Sequence, residues 1–268
     1  MLSLLFALID RFLLPARAAA RAGWLAGATY AHRGLHGPGV PENSLAAADA
    51  AIARGLGIEC DVQRSHDGQA IVFHDWTLER LTGQTGTVGE RNAADLQRIG
   101  LCDETGAPVP GETIPGLRQL LDRIDGQVPL LIEVKSRAGQ RIAPLCLAVR
   151  RLLEGYRGPV AVMSFDPRVP AWFRRYSPHV VHGLVVTEAG RRTLLARLKR
   201  HLALWRARPQ FLAYDIGDIA NPVVRLARRR GVPVLTWTVR TAEDAARAAA
   251  YADAPIAEGP ALLPPPAA

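Results

Sequence analysis

Residues 129–164 read PLLIEVKSRAGQRIAPLCLAVRRLLEGYRGPVAVMS, two short apolar runs on either side of an amphipathic stretch. The runs at 129–135 and 159–164 have the length and apolarity of buried strands, while Ala143 to Leu153 spaces its apolar residues along one helical face. Strand, helix and strand in so few residues make the repeating unit of a parallel sheet. The alternation continues in both directions. Further apolar runs lie at 28–33, 57–62, 181–186, 210–215, 232–238 and 254–258. Amphipathic segments such as Ser44 to Arg54 separate most of them, with Asn43 or Ser44 as the helix cap. Eight strands alternating with helices predict an α/β fold, the (β/α)8 TIM barrel, and 268 residues is an ordinary length for it.

The composition sets limits on function. Hydrophobic residues make up 49% and charged residues 22%, which excludes a disordered or collagen-like chain. The formal net charge is 33 − 25 = +8, but only Lys135 and Lys199 are lysines and the other basic residues are arginines. The clusters Arg174-Arg175, Arg191-Arg192 and Arg228 to Arg230 fall in segments with helical spacing, so solvated helix faces explain them better than a nucleic-acid patch. In so arginine-rich a chain, a retained lysine marks a place that needs a compact ammonium. Cysteines at 60, 102 and 146 are too few and scattered for a disulfide framework or a zinc cage. They favour a reducing compartment, hence the cytoplasm over the periplasm or export.

The ends of the chain differ from its middle. Leu2 to Leu14 is apolar except for Ser3, Asp10 and Arg11, too short and too interrupted to span about 30 Å of hydrocarbon. No basic residue precedes the run, which argues against a signal peptide. Leu2, Leu5, Phe6, Ile9 and Leu13 share one stripe, followed by Arg17 and Arg21. That pattern suits a helix lying on an anionic membrane surface and equally one packed on the domain. Residues 1–27 are therefore read as an amphipathic extension, 28–260 as the barrel domain, and the proline-rich 261–268 as a tail.

In a (β/α)8 barrel the catalytic groups sit at the carboxyl ends of strands. The first strand ends in His32-Arg33-Gly34, the second carries Glu59-Cys60-Asp61 and the third carries Glu133-Val134-Lys135. Side chains alternate along a strand, so Glu59 and Asp61 point together, as do Glu133 and Lys135. Three carboxylates converging in an apolar barrel are costly without a partner. A hard divalent cation, Mg2+ or Ca2+, provides one. Asp67-Gly68 then reads as a two-residue hairpin turn, sending 70–75 back antiparallel and setting His74 opposite Asp61, a pairing that a longer turn would shift and spoil. His32 and His74 are the histidines placed for acid–base chemistry, because imidazole titrates near neutrality.

Taken jointly, HRG at 32–34, PENS at 41–44, Glu59-x-Asp61 and the DG…VFHDWTLERLTG stretch of 67–83 resemble the glycerophosphodiester phosphodiesterase family. TIPGLRQLL at 113–121, IEVK at 132–135 and NPVVRLARRRGVPVLTWTV at 221–239 extend the resemblance over about 28–260. It implies the same barrel with a small insertion after the second strand, about 76–112, over the mouth. It further implies that Glu59, Asp61 and Glu133 hold a divalent metal and that His32 and His74 are the acid–base pair. By the same likeness Arg33 and Lys135 hold phosphate, Trp237 packs against substrate, and Glu42 and Asn43 of the PENS element support the site. The family hydrolyses a glycerophosphodiester to glycerol 3-phosphate and an alcohol. Two departures stand out: Ala257-Glu258-Gly259-Pro260 replaces the usual T-D-x-P-like ending, and Arg240 stands where asparagine is common. Phospholipase-D-like hydrolysis of lysophospholipids at a membrane, aided by residues 1–27, is the nearest alternative. A non-catalytic nucleic-acid binder is more remote, because binding phosphate backbones gives no reason to gather three carboxylates.

Overall fold

All eight apolar runs become strands in the computed structural model, which describes residues 19–188 and 193–262. The apolar stripe read at Leu2 to Leu13 and the prolines of the tail lie outside the described residues. The chain divides into two units, one made of residues 30–160 and the other of 161–268 together with 1–29.

In the first unit, β1 (Tyr30–Ala31) runs parallel to β2 (Gly57–Arg64), which is buried along its length as far as Arg64. β3 (Ala70–Val72) returns antiparallel to β2, β4 (Gly100–Cys102) and β5 (Pro108–Thr113) form a separate hairpin, and β6 (Leu130–Val134) pairs in parallel with the other side of β2. Helices Leu45–Ala53, Leu117–Ile124 and Ala143–Leu153 follow β1, the inserted segment and β6. Ser44 caps the first of these, its Oγ accepting from the Ala47 N–H at 3.0 Å. The segment between β3 and Leu117 has a small core of its own, in which Phe73, Leu78, Leu81, Val88, Leu96 and Ile99 pack together.

The β2–β3 register departs from the sequence expectation. Arg64 pairs with Ala70 and Val62 with Val72, one residue off the alignment that sets Asp61 against His74. The loop holds three residues rather than two. Gly68 N–H donates to Ser65 carbonyl at 3.1 Å, and Gly68 takes a φ of +85°. A turn closed by a left-handed glycine is the common three-residue hairpin solution. Asp61 carbonyl consequently accepts from the Phe73 N–H at 3.0 Å.

The second unit is a run of parallel strands, β7 (Val160–Ser164), β8 (Val181–Val186), β9 (Phe211–Asp215), β10 (Val234–Val239) and β11 (Ala254–Ala257), each beside the one before. Helices Arg168–Tyr176, Leu194–Ala207, Pro222–Arg229 and Ala242–Tyr251 connect them. Leu184, Leu204, Leu212, Tyr214, Val224 and Val234 are among the residues of its core. Residues 19–27 pack on this unit: Leu25 is buried, Arg21 donates to the Pro178 and His179 carbonyls at 2.6 and 2.8 Å, and the Gly27 N–H donates to Asp253 carbonyl. Eight parallel strands with intervening helices give the chain the (β/α)8 barrel fold, with an insertion after its second strand. Among the described residues no helix is long and apolar enough to cross a membrane.

Candidate active site

Glu59 and Asp61 share one face of β2, and the β2–β6 register sets Glu133 directly beside Asp61. All three are buried, and one carboxylate oxygen of each lies within 4.8 Å of the others. Among the described residues no other set of acidic, histidine or cysteine side chains gathers in this way. Cys60, between them, faces the opposite side of the strand, and burial raises its thiol pKa well above the ordinary range.

The charges of the cluster are unevenly balanced. Burial, together with Asp61 and Glu133, pushes the Glu59 pKa well above the usual carboxylate range. Burial and Asp61 also raise Glu133, against the pull of Lys135. For Asp61 burial works in the same sense, but Lys135 and Arg33 overcome it and hold the group down to about 2. Lys135 Nζ lies 3.3 Å from Asp61 Oδ1 and 3.1 Å from Glu133 Oε1, and Arg33 Nε lies 3.3 Å from Asp61 Oδ2. Two carboxylates held back from ionising beside a third that stays ionised are a donor set short of positive charge. Oxygen-only donors in this arrangement fit a hard divalent cation.

The loop after β1 is shaped around this cluster. Arg33 adopts a φ of +57°, which costs a non-glycine residue about 1–3 kcal/mol. In that conformation its backbone N–H donates to Glu59 Oε2 at 3.0 Å, while its Nη1 donates to Glu42 Oε1 at 2.7 Å. Gly34 follows with a φ of +77°, and a Cβ there would stand 2.8 Å from that of Ala47, so only glycine fits. Asn43, at φ +58°, donates from Nδ2 to Asp61 Oδ2 at 3.0 Å and accepts from the Asp61 N–H at 3.2 Å. Its side chain is thus occupied with Asp61, which leaves the helix cap to Ser44.

Both histidines act electrostatically on the cluster, His32 and His74 on Asp61 and His74 on Glu133 as well. His74 lies just beyond β3, which ends at Val72, where the chain has left the ladder. Gln63 secures that irregular stretch. Its Nε2 lies within hydrogen-bond distance of the Phe73, His74 and Asp75 carbonyls, at 2.9, 3.0 and 2.6 Å. His74 Nδ1 is 2.7 Å from Asp75 Oδ1. Asp75 resists burial and stays well below the ordinary carboxylate range through its bonds to His74 and Arg80. An ionised carboxylate can only accept, so Nδ1 carries the proton. Arg80 ties the arrangement together, donating to Asp75 at 2.5 Å and to both oxygens of Glu42 at 2.8 and 2.9 Å.

Sequence reasoning missed Gln63, Asp75 and Arg80. Asp75 and Arg80 stand within the HDWTLER run, where a carboxylate next to His74 was the available signal. Gln63 continues the Glu59-Asp61 face of β2 by period two. Beside these residues Gln63, Lys135, Trp76 and Arg137 border a cavity of about 430 Å3, and the Arg137 guanidinium lies over the Trp76 ring at 4.3 Å.

Trp237 belongs to the second unit. Its Nε1 donates to Ala213 carbonyl at 3.0 Å, and its ring meets that of Phe165 edge to face at 5.2 Å. The two departures from the family pattern, Arg240 and Glu258, meet each other: Arg240 Nε donates to Glu258 Oε1 at 2.6 Å.

Comparison with known proteins follows the same line. The model of the glycerophosphoryl diester phosphodiesterase family matches residues 32–256. A glycerophosphodiester phosphodiesterase of Caldanaerobacter subterraneus subsp. tengcongensis is 28% identical over 227 residues, covering 81% of this chain and 87% of its own. The structure of an Oleispira antarctica phosphodiesterase in complex with the product sn-glycerol-3-phosphate shares the fold, with a TM-score of 0.73 at 23% identity over 88% of this chain and 94% of that one. A glycerophosphodiester phosphodiesterase from Thermotoga maritima gives a TM-score of 0.67 at 22% identity, covering 86% and 94%. With its barrel, its carboxylate cluster and a family match running through nearly all the described residues, the chain belongs to the glycerophosphoryl diester phosphodiesterase family and is a phosphoric diester hydrolase.

Proposed function

We propose that this protein hydrolyses glycerophosphodiesters to glycerol 3-phosphate and an alcohol in a reaction that depends on a divalent cation. The observation that carries the reading is the buried grouping of Glu59, Asp61 and Glu133 with their oxygens within 4.8 Å. These three would hold the cation, Mg2+ or Ca2+, which when bound neutralises charge on the phosphoryl group. Lys135 and Arg33, each about a hydrogen bond from Asp61, add positive charge on the same side and serve to hold the phosphate.

The two imidazoles divide the proton transfers. His74, with its Nδ1–H committed to Asp75, offers Nε2 as acceptor for the proton of the attacking oxygen, and the Asp75 charge stabilises the imidazolium that forms. His32 then gives a proton to the departing alcohol oxygen as the phosphorus–oxygen ester bond breaks. Glu42 and Asn43 keep Arg33 and Asp61 in place and take no part in the proton traffic.

Hydrolysis of glycerophosphocholine, followed with chelator and then with Mg2+ or Ca2+ restored, tests the reading. Loss of turnover on chelation and its return with metal are expected, along with a large loss in Glu59→Gln that added metal does not repair. Turnover indifferent to chelation would remove the cation from the reaction.

A further inference from the structure

Helix Leu194–Ala207 turns its apolar side outward. Seven large hydrophobic residues are exposed among the described residues, and five of them, Leu194, Leu195, Leu198, Leu202 and Trp205, lie on this one helix. Three are more than 60% exposed: Leu195 at 62%, Leu202 at 65% and Trp205 at 61%. At 3.6 residues per turn all five fall within an arc of about 100°, a continuous stripe and no scatter of single residues. The inward side is satisfied without them, since Leu204 and Ala207 join the core of the unit and Arg200 pairs with buried Glu188 at 2.6 Å. A contiguous apolar patch on a surface helix marks a place where something else binds.

Charge identifies what binds. Arg197 lies on one flank of the stripe and Lys199 and Arg206 on the other, all three exposed. Between Glu188 and Asp215 the sequence contains no acidic residue at all, so no negative charge lies near to cancel them along the chain. Leucines and a tryptophan bordered on both sides by cations, with no anion, match the boundary between acyl chains and anionic headgroups. A protein partner covering the leucines would find the flanking cations only if it brought acids in register. An anionic bilayer meets both requirements with one flat surface.

We infer that helix Leu194–Ala207 docks the protein peripherally on an anionic lipid surface, with the leucine and tryptophan stripe set into the interface and Arg197, Lys199 and Arg206 against the headgroups. The stripe continues at Leu195 to the rim of a cavity of about 330 Å3 that Phe165 also borders, and Phe165 packs on Trp237. The docked face is thereby on the same side of the unit as the end of β7 and Trp237.

Sedimentation of the full-length protein with vesicles tests this, comparing mixed phosphatidylglycerol–phosphatidylcholine with phosphatidylcholine alone. The wild type is expected to pellet with the anionic vesicles, and less so as salt is raised. Leu198→Gln/Leu202→Gln/Trp205→Gln should weaken partitioning by roughly tenfold or more. These side chains support no core, so glycerophosphocholine turnover reports whether the variant is folded. Arg197→Gln/Lys199→Gln/Arg206→Gln should abolish the preference for anionic lipid. Trp205→Phe alone should remove a blue shift of tryptophan emission on vesicles while binding persists. Absence of lipid binding by the wild type would overturn the inference. So would undiminished binding in the leucine–tryptophan variant, which would assign the contact elsewhere, residues 1–18 included. A wild-type dimer that those same substitutions dissociate would give the face to a second copy and overturn it too.

Discussion

In the proposed mechanism His74 is the side chain whose surroundings prepare it for proton transfer. Its ring is fixed from one side by Asp75, which is itself held by Arg80, while the backbone that carries it is held by Gln63. None of these partners needs to touch substrate to matter. His32→Ala and His74→Ala are each expected to lower kcat by roughly 10²–10⁴ with the fold retained. Asp75→Asn, which keeps the ring and removes the charge behind it, should cost about 10–100-fold with KM little changed. Steady-state kinetics on glycerophosphocholine separates the cases, and an Asp75→Asn enzyme as fast as wild type would strip the pair of its role. Arg33 and Asn43 illustrate the other side of residue-scale design, accepting left-handed backbone so that an N–H and an amide reach Glu59 and Asp61.

At the scale of elements, the hairpin after β2 is instructive because its loop holds three residues where the sequence suits two. The Asp67-Gly68 pair suits a two-residue turn, and nothing local distinguishes it from a three-residue loop closed by the same glycine. The stretch that carries His74 leaves the ladder after Val72 and is held by Gln63, a contact between residues eleven apart in sequence. The second unit has its own buried polar knot. Glu188 Oε1 accepts from Arg200 Nη1 at 2.6 Å, Tyr214 hydroxyl at 2.6 Å and Asn221 Nδ2 at 2.8 Å, joining three elements after β8. Glu188→Gln leaves a buried guanidinium without its counter-charge and should destabilise the protein by about 3 kcal/mol. Arg200→Met added to it should recover part of that loss. Urea denaturation of the two variants measures the non-additivity, and simple addition would mean the groups do not act as a unit. The Arg240–Glu258 pair is largely exposed and contributes only about 0–1 kcal/mol.

For the whole molecule, acid sensitivity follows from histidines that folding keeps from protonating. His182 is lowered by burial and by the charges of Arg174 and Arg21, against its bond to Val180 carbonyl. The unfolded chain, with its imidazole near 6.5, therefore binds the proton more readily than the folded one. The stability tied to this group is complete above that value and is lost as pH falls through it toward the folded pKa. Between pH 7.5 and 5.5 the wild type should lose stability more steeply than His182→Gln, by up to about 1.4 kcal/mol per pH unit for one proton. Parallel denaturation midpoints across that range would contradict this.

The fold was open to reading because a (β/α)8 barrel repeats one local pattern, and each of its eight strands is a short apolar run that carries its own signal. The carboxylates were partly legible: period two sets Glu59 and Asp61 on one face of β2, and the register with β6 then puts Glu133 beside Asp61. Tertiary structure alone decided the rest. That Arg80 reaches Glu42 and Asp75 at once, that Gln63 holds the approach to His74, and that Arg240 finds Glu258 depend on how loops close. Likewise the leucines of helix Leu194–Ala207 have the spacing of a core face, and only packing reveals that they turn away from it. Periodicity says which residues share a side of an element, but the direction in which that side points is set by everything packed around it.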